Sequence, residues 1–132
     1  MATTVSLNRD SYLIDDGNDA KVIVTDLGDI PGGRALDVSE WDEDVIRAAH
    51  IIKRTKSTDT YAPLGVSGDS YKELSEGEEY AGVLKSSVLK TNAQAAIMTV
   101  GQVNAAASPY PVTKSIVEGL PQIKFLYADI TE

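Results

Sequence analysis

The chain has 132 residues, a net charge of −8 at neutral pH, a pI near 4.5, no cysteine and a single histidine. A chain of this length forms one domain that folds without covalent staples. The missing cysteines exclude disulfides, thiolate chemistry and thiolate zinc sites, and the acidic balance opposes a phosphate backbone, whose binding rests on Lys and Arg displacing counterions.

No apolar run approaches the roughly 20 residues that span a bilayer. The opening MATTVSLNRD has neither the basic nor the apolar stretch of a signal peptide. The expectation is a soluble protein made in a cytoplasm.

Residues 1–19 are polar, with a thin alternation of Val5 and Leu7, then Tyr12, Leu13 and Ile14. They end in the turn-forming cluster Asp15-Asp16-Gly17-Asn18-Asp19. So little apolar area cannot offset the entropy of ordering. The segment reads as an arm, mobile alone and ordered by a partner; the alternative is a first edge strand of the domain formed by residues 20–132.

Ala20–Leu27 alternates and is rich in β-branched residues, which predicts a strand. Gly28–Arg34 is loop, and Ala35–Val38 a short extended piece. Ser39 followed by Glu40, Trp41 and Asp42 looks like a helix cap with first-turn acids, predicting one helical turn through Asp44. Beyond it the period fits either helix or strand. The β-branched pair Ile51-Ile52 favours a strand from Ala48 to Arg54.

Thr55–Thr60 is then a hairpin loop into an extended Tyr61–Val66, followed by a turn at Ser67–Ser70. Ser75–Glu79 is an acidic surface loop. Tyr80–Lys90 and Gln94–Val103 are the two strongest strand candidates, Ala105–Pro111 is a loop, and Thr113–Leu120 is a short helix. Gln122–Asp129 closes the chain as a strand with Ile123, Phe125 and Tyr127 on one side. About six or seven short strands and one or two brief helices imply a mainly β, small antiparallel barrel or sandwich-like domain with an N-terminal arm.

Several chemical motifs come close and fail. Gly28-Asp29-Ile30-Pro31-Gly32-Gly33-Arg34-Ala35 has the G-x-x-x-x-G spacing of a phosphate loop. Arg34 replaces its lysine, however, and Ala35 its hydroxyl. Gly65-Val66-Ser67-Gly68 approaches a nucleophile elbow, but Asp69 stands where glycine is required, and nothing links His50 to Ser67 as a base. Asp15, Asp16 and Asp19 do not complete a calcium loop.

The acids Asp42, Glu43 and Asp44, or Glu76, Glu78 and Glu79, read as solvated faces rather than a glycosidase pair. His50, among Ala49, Ile51 and Ile52, reads as a half-buried structural histidine. Trp41, Tyr61, Tyr71, Tyr80 and Tyr110 fit the ends of a β core better than a sugar-stacking platform. The reading is of a protein that is not an enzyme and uses no cofactor and no metal.

Taken in order, the runs Arg34–Asp37, Ile46–Lys53, Tyr61–Leu64, Tyr80–Leu84, Ala95–Val103 and Leu120–Phe125 resemble the head decoration and auxiliary capsid proteins of tailed bacteriophages. These are related to the lambda-type decoration protein and to head-fibre components. The similarity spans about Gly33 to Ala128 and rests on short apolar motifs. Ala49 stands where a glycine would often be expected, and the acidic arm before Ala20 matches nothing assigned.

The resemblance implies a structural virion protein, often trimeric, that docks outside the shell on the major capsid protein and reinforces it. It implies no catalysis, cofactor, nucleic acid or membrane. It would make Val5, Leu7, Tyr12, Leu13 and Ile14 capsid contacts, the arm ordering by β-augmentation. The alternative is a carbohydrate- or surface-binding β module displayed on a virion.

Overall fold

In the computed structural model, which describes residues 22–127, the chain is mainly β. The central strands are β4 (Ile51–Thr55), β8 (Glu78–Leu84) and β11 (Ile97–Asn104). Each carries two consecutive apolar residues with no exposure at all: Ile51-Ile52, Val83-Leu84 and Ile97-Met98. Successive strand residues point to opposite faces, so such pairs require a sheet covered on both sides. Registry aligns them, Ile51 opposite Val83, Val83 opposite Met98 and Leu84 opposite Ile97.

One face packs Ile51, Val83 and Met98 against Val112, Ile116, Leu120 and Ile123. The other packs Ile52, Leu84 and Ile97 against Leu36, Trp41, Ile46 and Ala95. This second layer consists of two-residue strands: β2 (Arg34–Ala35) pairs β10 (Gln94–Ala95), and β3 (Val45–Ile46) pairs β9 (Val88–Leu89). The main sheet runs β1 (Ile23–Asp29), β11, β8, β4 and β5 (Thr60–Pro63), antiparallel throughout. The last strand, β12 (Ile123–Leu126), joins β11 in parallel. A hairpin of β6 (Val66–Ser67) and β7 (Ser70–Tyr71) turns at Gly68, whose φ is 63°. The helix α1 (Lys114–Gly119) is capped by Thr113, whose Oγ1 accepts the Ile116 N–H at 3.3 Å.

The mainly β, antiparallel reading and the short helix agree with the sequence; several boundaries do not. No helical turn follows Ser39. The Asp37 carboxylate accepts both the Ser39 N–H and hydroxyl, closing an Asx-type turn instead. These bonds hold the Asp37 carboxyl below its ordinary pKa. The strand expected from Ala48 starts at Ile51 because Ala48-Ala49 is a turn, with Ala49 at φ 74°.

Tyr80–Lys90 breaks after Leu84, where Lys85 reaches Asp26 and Asp29 and the Ser87 hydroxyl accepts the Ala48 N–H at 3.0 Å. Gln94–Val103 breaks at Ala96, whose carbonyl accepts the Lys85 N–H. β1 begins at Ile23; Val22 before it is helical, and Ala20 and Lys21 lie outside the described residues. Tyr127 does not continue the face of Ile123: β12 ends at Leu126, and Tyr127 has φ 69° and is 71% exposed.

Gly101 lies where β1 and β12 both close on β11, opposite Asp26 and Ile123. A Cβ there would overlap the Thr25 carbonyl oxygen and the Met98 side chain. Gly101→Val should therefore destabilise the fold by about 2–3 kcal/mol in urea unfolding, and an unchanged midpoint would contradict this close approach. Ala49→Gly should be near neutral, since relief of the left-handed backbone offsets the lost buried methyl. Ala49→Val should cost at least about 2 kcal/mol, because a β-branched residue is an outlier at positive φ; equal midpoints for the two variants would refute that strain.

Candidate functional site

At one end of the sheet the chain buries its only histidine. His50 has no exposure and follows the left-handed Ala49, which turns its ring inward before β4 starts. Its Nε2 lies 2.9 Å from the Leu64 carbonyl oxygen. A carbonyl only accepts, so Nε2 carries the proton and Nδ1 is left bare; Nδ1 has no partner among the described residues. Three aromatic rings meet the imidazole edge to face: Trp41 at 4.8 Å, Tyr71 at 5.1 Å and Tyr110 at 5.7 Å between centroids.

Two of these rings are tied elsewhere. The Trp41 indole donates to the Val45 carbonyl at 3.1 Å, and the Tyr71 hydroxyl accepts the Ile51 N–H at 3.2 Å. Lys90 donates to the Trp41 carbonyl from the turn after β9. Burial lowers the His50 pKa to about 4, against a smaller opposing effect of the Leu64 bond, so the ring is neutral at pH 7. Burial likewise pushes the Tyr71 phenol above its ordinary range.

Outside this cluster lies a cavity of about 280 Å³. Trp41 and Tyr110 form walls, Glu40, Asp42 and Glu43 contribute carboxylates, and Lys72 approaches from beyond β7. The Tyr110 phenol is pushed up by burial and then by the negative charges of Glu43 and Asp69. Away from it, Lys53 pairs with Glu78 at 2.9 Å, Arg54 with Asp59 and Glu79 at 2.6 and 2.7 Å, and Lys85 with Asp26 and Asp29.

The residues singled out in the sequence scatter. Val5, Leu7, Tyr12, Leu13 and Ile14, with the acids Asp15, Asp16 and Asp19, lie outside the described residues. Ser67 is exposed on β6 while His50 is buried and engaged by Leu64, so they do not form a nucleophile and base. In the failed phosphate loop, Asp29 is in β1 and Arg34 donates to the carbonyls of Gly33 and Pro31. Glu78 and Glu79 are bound to Lys53 and Arg54. The aromatics make no common platform: Trp41, Tyr71 and Tyr110 surround His50, Tyr61 lies under Arg34, and Tyr80 packs toward Gly119. His50 is fully rather than half buried.

A second surface feature was not legible in advance. Val24 and Leu27 are 43% and 70% exposed, and both lie on the edge strand β1. The registers Ile23–Val103 to Thr25–Gln102 and Asp26–Gly101 to Gly28–Val100 each place one extra residue on β1. Those extra residues are Val24 and Leu27. Two bulges thus turn apolar side chains outward and break the edge against indiscriminate strand pairing.

Among the described residues no group of His, Asp and Glu side chains converges to hold a metal ion, and no helix is long and apolar enough to cross a membrane. Comparison with known protein families, with curated proteins and with solved structures returns no match to this chain.

The lowered His50 pKa has a definite sign in stability. Unfolded, the ring takes up its proton near pH 6.5; folded, only near pH 4. Its contribution is complete above pH 6.5 and is lost as pH falls toward 4, by about 3 kcal/mol in all. Urea unfolding at a series of pH values should show this fall, and His50→Gln should remove it between pH 6.5 and 5. An identical pH slope in that variant would show that His50 is not the group.

Proposed function

We propose that the chain is a structural virion protein, held in many copies on the outer surface of a phage capsid through the major capsid protein. It stabilises the shell without catalysis. The observation that carries this reading is the edge strand β1, whose bulges expose Val24 and Leu27. In the resemblance to decoration proteins, Val5, Leu7, Tyr12, Leu13 and Ile14 of the N-terminal segment are the capsid contacts. Both sets of apolar residues would contribute contacts to the shell.

The backbone at Ala49 adds support. The resemblance expects glycine there, and the residue holds φ 74°, a conformation glycine adopts without steric cost. The acidic body suits the outside of a particle better than contact with packaged nucleic acid. A small apolar contact suffices if copies associate, a trimer being the favoured unit, because each further contact then becomes intramolecular.

Deleting residues 1–16, or replacing Leu27 by Asp, should leave stability within about 0.5 kcal/mol. Either change should lower occupancy on expanded shells at least about tenfold, measured by co-sedimentation, as expected when one linked contact is lost. Occupancy equal to that of the full chain in both variants would rule out β1 and the arm as the anchor.

A further inference from the structure

The three rings around His50 are carried by segments outside the main sheet. Trp41 lies in the turn between β2 and β3, Tyr71 in the self-paired hairpin β6–β7, and Tyr110 in the loop between β11 and α1. Tyr110 stands between Pro109 and Pro111, neither of which has an N–H to donate. The buried Ser108 hydroxyl beside them has no partner among the described residues. Tyr71 reaches β4 through a side-chain bond, its hydroxyl accepting the Ile51 N–H. The rings hold one another: His50 touches all three, and Tyr71 meets Tyr110 at 5.4 Å between centroids. Segments held by side-chain contacts in place of ladder bonds open at lower free energy than the strands beside them.

The ring at the centre gains a charge in mild acid. Its Nε2–H is committed to the Leu64 carbonyl, so a second proton must go to Nδ1, which is buried and without a hydrogen-bond partner among the described residues. No carboxylate offsets that charge: burial is the larger influence on the ring and the Leu64 bond the smaller. Glu40, Asp42 and Glu43 beside Trp41, Asp69 and Lys72 on the hairpin, and Arg47 in the preceding turn are all exposed, whereas His50 is not. Lys90 is on the Trp41 carbonyl, and Lys85, after Leu84, is paired with Asp26 and Asp29. The Tyr71 and Tyr110 phenols stay neutral in acid, both pushed up first by burial. An imidazolium so enclosed is stabilised most by reaching water.

We infer that the His50 corner is an acid-released latch: a proton taken up at Nδ1 frees the Trp41 turn, the β6–β7 hairpin and the Tyr110 loop from the end of a main sheet that stays folded. The buried pairs of β4, β8 and β11 bond to one another across their ladder, independently of the three segments. Opening uncovers Trp41 and Tyr71, both buried while the latch is shut, so acid creates an aromatic surface absent at neutral pH. A solvated imidazole takes its proton near pH 6.5 and the enclosed one near pH 4. The opening equilibrium therefore rises about a hundredfold from pH 7 to pH 4. No residue of β1 or of the N-terminal segment takes part, so the latch stands apart from shell docking.

The chain has one histidine and one tryptophan, so each end of the latch has its own probe. The full chain is titrated from pH 7 to pH 4 without denaturant. Proton NMR follows the His50 ring, acrylamide quenching follows Trp41, and far-ultraviolet circular dichroism follows the strands. The expected result is one shared midpoint for the His50 and Trp41 changes, between about 4 and 6.5, with the strand signal retained. His50→Gln keeps every surrounding carboxylate and should leave Trp41 shielded over the whole range. Tyr110→Leu removes one wall and should move both midpoints together toward 6.5.

Trp41 still shielded after His50 is protonated would overturn the latch, as would a His50 midpoint at or above 6.5, which would mean that the rings hold the cation in place. Loss of the strand signal in step with Trp41 exposure would make the event global unfolding and overturn local release. The same acid exposure of Trp41 in His50→Gln would assign it to the carboxylates. Should that variant already expose Trp41 at pH 7, Tyr110→Leu decides: a moved His50 midpoint with an unmoved Trp41 transition refutes the coupling.

Discussion

A neutral imidazole with one proton and one acceptor fixes the end of the molecule where three parts of the chain meet. His50 donates to Leu64 at the end of β5, and its ring is walled by Trp41, Tyr71 and Tyr110 from three separate loops and hairpins. Its own carbonyl accepts the Leu84 N–H, and the Ala49 N–H donates to the Leu84 carbonyl at 2.7 Å, so the corner is stitched to β8 as well. Charging such a ring without a counter-ion is costly. The same group that organises the cavity walls therefore makes that end sensitive to acid.

The two-faced sheet is the frame on which that corner rests. Three consecutive buried pairs on β4, β8 and β11 commit the chain to covering both faces. It does so with Val112, α1, Leu120 and Ile123 on one side and two-residue strands on the other. Those short strands follow from geometry. β2, β3, β9 and β10 cross over the face rather than extend the sheet, and each keeps only the bonds its crossing allows. The edges are handled differently: β5 is bonded again through Leu36 and Asp37, while β1 is bulged and left outward.

Much of this was legible in the sequence. The Ile51-Ile52 pair chose strand over helix, and the β4–β5 hairpin, the turn at Gly68 and the short helix α1 followed from local chemistry. What misled was local chemistry overruled by distant partners. Ser39 has the residues of a helix cap after it, yet Asp37 captures it first, and Trp41 is drawn into the core by His50. The breaks at Lys85 and Ala96 go with the ion pairs of Lys85 to Asp26 and Asp29 and a backbone bond from Lys85 to Ala96, none of them visible in a period-two pattern. Bulges shift alternation by one residue, so nothing in β1's sequence marks Leu27 as outward. The cavity is lined by both Glu40 and Lys72, which are far apart in the chain, a juxtaposition with no local signal.

The described body presents an outward apolar edge at Val24 and Leu27 and a cavity walled by Trp41 and Tyr110. The direct test is a count of copies of the full chain bound to expanded, undecorated shells as its concentration is raised, made by native mass measurement or quantitative electron microscopy. Docking predicts saturation at a fixed multiple of the capsomer number, with the bound shells more resistant to heat. A binding curve with no plateau, or shells that gain no protein at all, would contradict it.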